Sequence, residues 1–488
     1  MTSGPRVLAR FTLGPAALAC TAVVASSPQT VLNGGIPATY AATGAAGVPL
    51  SFALLMAVIG FLAVGYVAVG RHVRHGAPFY AQLARGGNPV LGLVGAAVAF
   101  VGYNALQISL YPLLGTTIAA LTGGGPWWLW ALIGWLIVLL LGQYPGAVGA
   151  KVLGVLLALE ITVVVLFIAA GFTHRTHGVE AGMVFAPSSL LVFGAAATLL
   201  VYAAAAFAGL ETLLAYAEEA ISHRALVIGT VVAISGCGVL YCLASWAYGA
   251  WVGFDKLRVA AADGARQPLA LLGDVYGVGI ADLATLLLVT SVLAAMCSFH
   301  ATVARYVFAL AREQVLPAGW AKVSPGARGG APLGGTVVQS TTAAIVLGLF
   351  IAAGADPIRT IFSWLSTIGA VCVLLLLTCS SWAALNFFDK GHGGSEGFWV
   401  RQAFPFLGGI LGVFVLLFMT SSLGTLLGTP SGSPLPWLVA VPIAAAIGVG
   451  VIAGLWLRAA RPQVYALIGR GVPDGRTVKD PALEDVEV

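Results

Sequence analysis

The sequence predicts an all-α membrane protein: twelve transmembrane helices, arranged as a 5+5 inverted-repeat core with two peripheral helices. Three observations lead there. The 488 residues are 59% hydrophobic and only 8% charged, and mean hydropathy is +0.97. A water-soluble domain carries about 25% charge, so this surface is solvated by lipid. Apolar runs such as Ala195–Phe207 and Leu283–Ala295 are long and do not alternate, which excludes a membrane barrel with its alternating segments of about ten residues. Finally, two spans that lie five apart in the chain are interrupted by helix-breaking residues, as inverted repeats produce.

Polar or Gly/Pro-rich breaks leave apolar stretches at 14–40, 47–70, 90–121, 127–148, 149–172, 190–219, 225–253, 279–308, 333–353, 358–387, 403–427 and 434–458. Each is long enough to cross a hydrocarbon core of about 30 Å. The expected organisation is a cytoplasmic N-terminus (1–13), a first repeat (14–172), a second repeat (190–387), helices 11 and 12 (403–458) and a cytoplasmic tail (459–488). Twelve spans put both termini on one side. With that side cytoplasmic, eighteen of the 23 Lys and Arg residues fall in inner segments and five in outer ones, a strong positive-inside bias. The chain is therefore expected to be a multi-pass protein of the cytoplasmic (inner) membrane.

The first run follows Arg6 and Arg10 as a signal peptide would, yet continues past Ser26-Ser27-Pro28 to Tyr40 without a small-x-small cleavage site, so it reads as a retained helix. The tail, ending in Glu484, Asp485 and Glu487, reads as a solvated, mobile extension, and the outer loop with Asp255, Lys256, Arg258, Asp263 and Arg266 as a hydrated connection. Six cysteines lie inside apolar runs with no C-x-x-C pair, which points to free thiols. The pairs His72/His75 and His174/His177 lack a third ligand and read as solvated loop histidines, while Trp127, Trp128 and Trp130 read as interfacial anchors. No phosphate-binding loop, H-E-x-x-H or G-x-S-x-G occurs in a suitable context, so neither a nucleotide-driven pump nor a membrane hydrolase is indicated. No cofactor, metal or nucleic acid is expected.

The broken spans are the first and the sixth. The first contains Ser26-Ser27-Pro28-Gln29-Thr30 and then Asn33-Gly34-Gly35-Ile36-Pro37. Proline removes a backbone donor, and glycine is about 1 kcal/mol worse than alanine in a helix. Peptide groups freed in hydrocarbon must be satisfied by protein, water or solute. The sixth contains Phe207-Ala208-Gly209-Leu210-Glu211. A carboxylate there costs about 2.5–3.5 kcal/mol on insertion scales unless it faces the bundle interior.

Three further stretches carry a resemblance. Gly65-Tyr66 through Ala77-Pro78-Phe79-Tyr80-Ala81 to Ala84-Arg85-Gly86, Phe207-x-Gly209-x-Glu211 with Ala217-Glu218-Glu219-Ala220, and Arg305-Tyr306-x-Phe308-Ala309-Leu310-Ala311-Arg312-Glu313-x-x-Leu316-Pro317 occur in order at helices 2, 6 and 8. Together they resemble the amino acid–polyamine–organocation (APC) permeases over about Leu18 to Pro317. The resemblance implies a LeuT-like fold and transport of an amino acid or related small amine by alternating access, helices 1 and 6 rocking about a midplane site. The sequence departs from the family pattern at Leu210, at Gln314 where glycine is usual, at Ile221-Ser222-His223, and in helix 1, which lacks the usual G-x-G.

A zwitterionic solute needs positive potential at one end of its pocket and negative at the other. Backbone amides near Gln29, Thr30, Val31 and Leu32, at the start of the outer half of helix 1, carry about half a positive charge and are expected to receive the carboxylate, assisted by Ser26, Ser27 and Thr30 hydroxyls. Carbonyls from Ala205 through Phe207 and Ala208 to Gly209 are expected to receive the ammonium. Phe207 resembles the family's aromatic lid, with cation–π capacity. Asn104 and Gln107 share one face of helix 3 and serve either as a pocket wall or as a polar link between helices; Phe299 is a further wall residue.

Coupling candidates are Glu160, Glu211 and His300, ionisable groups within spans whose charge state a transport cycle can change. Glu160 falls where some members of the resembled family carry a lysine in place of a sodium ion between helices 1, 5 and 8, so the charge is reversed here. The proton is the expected coupling ion; sodium coupling, exchange without an ion and a non-transporting solute sensor are the rival readings, and a passive channel is disfavoured because polar residues cluster at the breaks.

Overall fold

The computed structural model describes residues 12–144, 150–176, 181–190, 195–253, 256–262, 267–324, 330–427, 429–430 and 432–471. Eleven helices among these are long and apolar enough to cross a membrane, and Trp127–Leu141 is a shorter apolar helix that completes the expected twelve. In chain order they are α1 (Pro15–Thr43), α2 (Val48–His72), α3 (Pro89–Leu121), α4 (Trp127–Leu141), α5 (Val152–Thr173), α6 (Ala196–Tyr216), α7 (His223–Val252), α8 (Val278–Arg312), α9 (Leu333–Ala352), α10 (Pro357–Asp389), α11 (Trp399–Ser421) and α12 (Leu435–Ala460). α4 stops short of the expected residue 148 and α8 runs past 308. The extension of α8 has a plain cause: Tyr306, Phe308 and Ala309 are buried, so its last turn is packed beneath the bundle instead of leaving it.

Lipid and protein divide the apolar residues by helix face. Leu132, Leu136 and Leu140 of α4, Ile345 and Leu349 of α9, and Val449, Ile452 and Leu455 of α12 are exposed. They recur every three or four residues, the stripe a helix turns toward hydrocarbon. The inner helices are buried along most of their length. α12 docks on α3 through Gly450 and Gly454: a Cβ at Gly450 would lie 2.5 Å from the Val94 Cα, so only the small-xxx-small stripe permits this approach.

The connections sort onto two faces. On one, Arg71 and His72 meet Glu396, Lys390 bonds the Gly86 and Gly87 carbonyls, and Arg312 meets Glu218. On the other, Gly44 lies against Arg258, Thr176 bonds the Ala250 carbonyl and Tyr276 bonds the Leu166 carbonyl. Among the described residues, successive connections fall on alternate faces, as one crossing by each span requires. The Lys/Arg-rich one is called the basic face below.

Two sequence expectations are corrected here. His75 is not a solvated loop histidine: it is buried and bonded to Glu313, and His72 is paired with Glu396. The first residues of the tail are not a free extension, because Pro462–Leu467 is helical and the Gly469 and Gly471 amides are bonded to Glu313. Arg6, Arg10, His177, Asp255, Asp263, Arg266 and the terminal acids Glu484, Asp485 and Glu487 lie outside the described residues.

Candidate solute and coupling site

Both expected interruptions are present. α1 is α-helical from Pro15 to Ser26, and Ser27 then adopts φ 51 and ψ 78 while its amide still bonds the Val23 and Val24 carbonyls. Pro28, which needs no partner for a missing N–H, opens the next helical turn. A π turn over Val31–Gly35 follows before the α-helix resumes at Ile36. A non-glycine residue at positive φ costs about 1–3 kcal/mol and persists where its surroundings over-determine it. Here the Ser27 hydroxyl is fixed from two sides, 2.7 Å from the Thr30 hydroxyl and 2.9 Å from that of Ser291 on α8.

The chain of hydroxyls continues to an acid. Ser291 Oγ donates to Glu160 Oε2 on α5 at 2.7 Å, and the Glu160 residue is 1% exposed. With a carboxylate at its end, the chain has one consistent direction: Thr30 donates to Ser27, Ser27 to Ser291, and Ser291 to Glu160. No Lys, Arg or His pairs with Glu160 among the described residues. Among the described residues, the charge-reversed position between helices 1, 5 and 8 is thus held by a hydroxyl and not by a cation.

α6 breaks beside this point. Ala208 is extended, Gly209 sits at φ 108, and the chain continues as a 3-10 helix from Leu210 to Tyr216. Gly209 is required twice over, by its positive φ and because a Cβ would lie 3.0 Å from Ala25 of α1. The Ser26 hydroxyl ties the breaks together by donating to the Ala206 carbonyl at 2.9 Å, with Tyr241 of α7 hydrogen-bonded to the same hydroxyl. Glu211 accepts from the Gly209 amide at 2.9 Å and so braces the break; it also walls a small cavity beside Tyr66 and Phe207.

The other candidates divide between breaks and scaffold. The Thr30 and Val31 amides are engaged by the Ser27 carbonyl. Gln29 is fully buried; its Oε1 accepts from Asn33, and its Nε2 has no hydrogen-bond partner. Val31 is buried, Phe207 stands edge-on to Tyr241 at 6.0 Å, and Phe299 lies 6.3 Å from Tyr103. Asn104 donates to its own helix at the Phe100 carbonyl. Gln107 links helices: it accepts from Gln339 of α9 at 2.8 Å and donates to Tyr111. His300 is 1% exposed and lines a cavity on the basic side, apart from the Glu160 chain.

The three motif stretches meet on the basic face. Arg305 holds Glu219 through two bonds of 2.8 and 2.9 Å, and its guanidinium lies 4.0 Å above the Tyr216 ring. Arg312 holds Glu218 at 2.7 Å, and Glu218 also accepts from the Gly76 amide. Glu313 accepts from His75, Tyr80, Gly469 and Gly471. Burial would push both carboxyls up, yet Arg312 beside Glu218, and His75 and Tyr80 bonding Glu313, hold them below the usual range. Sequence reasoning named these stretches without their partnership and missed Ser291, Tyr241 and Gln339, single polar residues in apolar runs with no spacing signal.

Broken helices five spans apart in an all-helical membrane bundle are the mark of a LeuT-fold transporter. The profile of the amino acid permease family matches residues 13–455, and the chain belongs to that family. No curated protein sequence matches it significantly. Among solved structures it is similar to MhsT in complex with L-phenylalanine, at 14% identity and TM-score 0.58 over 85% of this chain and 99% of that one. It is also similar to the Eremococcus coleocola manganese transporter bound to an aromatic bis-isothiourea compound, at 15% identity and TM-score 0.54 over 92% of this chain and 95% of that one. At these identities the likeness is one of fold.

Proposed function

We propose that this permease is a secondary active transporter that moves an amino acid or a related small amine across the cytoplasmic membrane by alternating access, coupled to a proton carried by Glu160. In this reading the basic face and both termini are cytoplasmic. The observation that carries it is the hydroxyl chain from Glu160 through Ser291 to Ser27 and Thr30, which ends on the strained break of α1. A protonated Glu160 donates to Ser291 instead of accepting from it, and every hydroxyl in the chain then reverses. Protonation is thereby felt at the hinge about which α1 turns, without any cation to hold the acid in one charge state.

The solute would lie between the two breaks. Its carboxylate would meet the unpartnered Gln29 Nε2 donor at the start of the outer half of α1, where the expected Thr30 and Val31 amides are already taken by the Ser27 carbonyl. Its ammonium would meet α6 carbonyls near Phe207, whose ring supplies cation–π attraction. The family supports an amino acid as the solute class.

The test is uptake into liposomes from a panel of labelled amino acids, with an imposed proton gradient. Wild-type uptake should rise as the source side is acidified. Glu160→Gln should lose at least tenfold in uptake driven by the gradient and become flat with pH, while retaining thermal stabilisation by the same solute. Unchanged, pH-dependent uptake in that variant would reject the role of Glu160.

A further inference from the structure

A cavity of about 200 Å³ opens between the inner half of α1, α4, α5 and α8. It follows α8 from Ala294 to Arg305, eleven residues or about 16 Å of helix, and ends one turn short of Ser291. Its walls are largely apolar, with Cys20 and Val24 of α1 facing Cys297 of α8. Thr21 and Ser298 also line it, each already bonded to an α1 carbonyl, and three further polar groups bear on what it can hold. Thr336 already donates to the Gly142 carbonyl. His300 is buried beside Gln339 of α9, and neither of its ring nitrogens makes a well-formed hydrogen bond. It stands where Gly142 has no side chain, since a Cβ there would lie 2.3 Å from the imidazole. The third is the Arg305–Glu219 pair: two guanidinium bonds go to Glu219 Oε1 and one to the Ala301 carbonyl, leaving Glu219 Oε2 with acceptor capacity.

A buried polar group whose hydrogen bonds are poorly formed is exceptional in a native structure. Here the donor (His300), the cation (Arg305) and an acceptor (Glu219) lie within about two helical turns, over an apolar wall. We propose that this vestibule is a second solute site, distinct from the one between the breaks, which takes a small zwitterion with an apolar side chain. The carboxylate sits between His300 and Arg305, the ammonium on Glu219 Oε2, and the side chain against Cys20 and Val24. The volume is below the about 300–1,000 Å³ of pockets for drug-sized ligands and suits a single metabolite. The site rests on the permease reading only for its ligand class. Lying between the Glu160 chain and the basic face, it would hold solute that has left the midplane.

The two lining thiols provide the test. Purified full-length protein is treated with N-ethylmaleimide, and alkylation of Cys20 and Cys297 is followed site by site by mass spectrometry, with Cys372, buried between α3 and α10, as an internal reference. The probes are L-leucine, L-leucinamide and 4-methylpentanoate, the last two each lacking one charge of the zwitterion. Leucine should slow both thiols at least threefold and the half-charged probes should not. His300→Ala and, separately, Glu219→Gln should each abolish that protection, whereas Gln29→Ala, at the midplane, should leave it intact. Two variants are needed because Glu219→Gln also loosens an ion pair. Absence of leucine protection overturns the site, as does protection that survives His300→Ala but is lost in Gln29→Ala. The readout is binding, so it stands or falls separately from uptake: protection without any transport would defeat the transporter reading and leave this site in place.

Discussion

Two sets of buried carboxyls in this molecule are held in opposite ways. Glu160, between α1, α5 and α8, is hydrogen-bonded by the Ser291 hydroxyl, which is itself bonded to Ser27, and no cation pairs with it among the described residues. Glu218, Glu219 and Glu313, on the basic face, meet Arg312, Arg305 and His75. A carboxylate fixed by a guanidinium keeps its charge through any cycle and serves as a joint. One fixed by hydroxyls accepts or donates with little rearrangement, because each hydroxyl is both donor and acceptor. The difference separates a group built to change state from groups built to stay, although a residue list ranks all of them as buried acids.

The contrast breaks most readily on the joint side. Glu218→Ala leaves Arg312 without its carboxylate, in a pair whose side chains are 15% and 17% exposed. Removing one partner of a buried pair costs about 3–5 kcal/mol, and the partial exposure puts the expected loss near the lower end. Thermal unfolding in detergent should show a clear fall in midpoint for this variant and almost none for Glu160→Gln, a neutral isostere that keeps its bond to Ser291. Equal falls in the two would erase the distinction.

Ser291→Ala sharpens the other side. It removes the middle of the hydroxyl chain and leaves Glu160 itself intact. Gradient-driven uptake should drop several-fold and exchange of solute across the membrane should be less affected, because the solute contacts remain. If exchange and driven uptake fall together, Ser291 acts on the solute and not on coupling.

Acid exposes the joints by their sign. Glu218 and Glu313 have folded pKa values below the usual carboxylate range. Their contribution is therefore complete above the unfolded value of about 4.3 and is lost as pH falls through the lower folded values. Stability should be indifferent to these two groups between pH 5 and 8 and decline below about pH 4. Chemical denaturation across that range in the Glu313→Gln variant should show a shallower acid limb than in the wild type.

How much of this was legible beforehand follows from what each feature costs locally. Spans are written in composition, and the twelve expected segments coincide with the helices within a few residues over most of the chain. Breaks are written in Pro28, Gly34, Gly35 and Gly209, residues that penalise a helix wherever they fall. The joints were half-legible: A-E-E-A and A-R-E appeared as motifs, but nothing in the chain order says that Glu218 meets Arg312, 94 residues on. Ser291 and Tyr241 were not legible at all, since a lone hydroxyl in a membrane helix commonly bonds its own backbone. Packing alone decides that these two reach across to α1. The tail failed for a related reason. Its polar composition suggested solvation, yet Gly469 and Gly471 are bonded to Glu313 through backbone amides, which composition does not encode.

The smallest expected effect lies at one of the departures from the family pattern. Gln314 occupies a position where glycine is usual, and it adopts φ 62, one of two non-glycine residues at positive φ among those described. It terminates α8: its amide bonds the Ala311 carbonyl, and the next amide, that of Val315, bonds the Leu310 carbonyl. This left-handed turn closes the end of α8 directly after Glu313, which bonds His75 and Tyr80. Left-handed backbone in a residue with a Cβ costs about 1 kcal/mol or more, and glycine would relieve that. Glycine also adds freedom to the unfolded chain, worth about 0.4–1 kcal/mol against it. Gln314→Gly should therefore stabilise by only about 0.5 kcal/mol, a small upward shift in unfolding midpoint with uptake unchanged. Gln314→Val, whose branched side chain resists this conformation more strongly, should move the midpoint the other way. If the valine variant were as stable as the glycine one, the turn would not be constraining the end of α8.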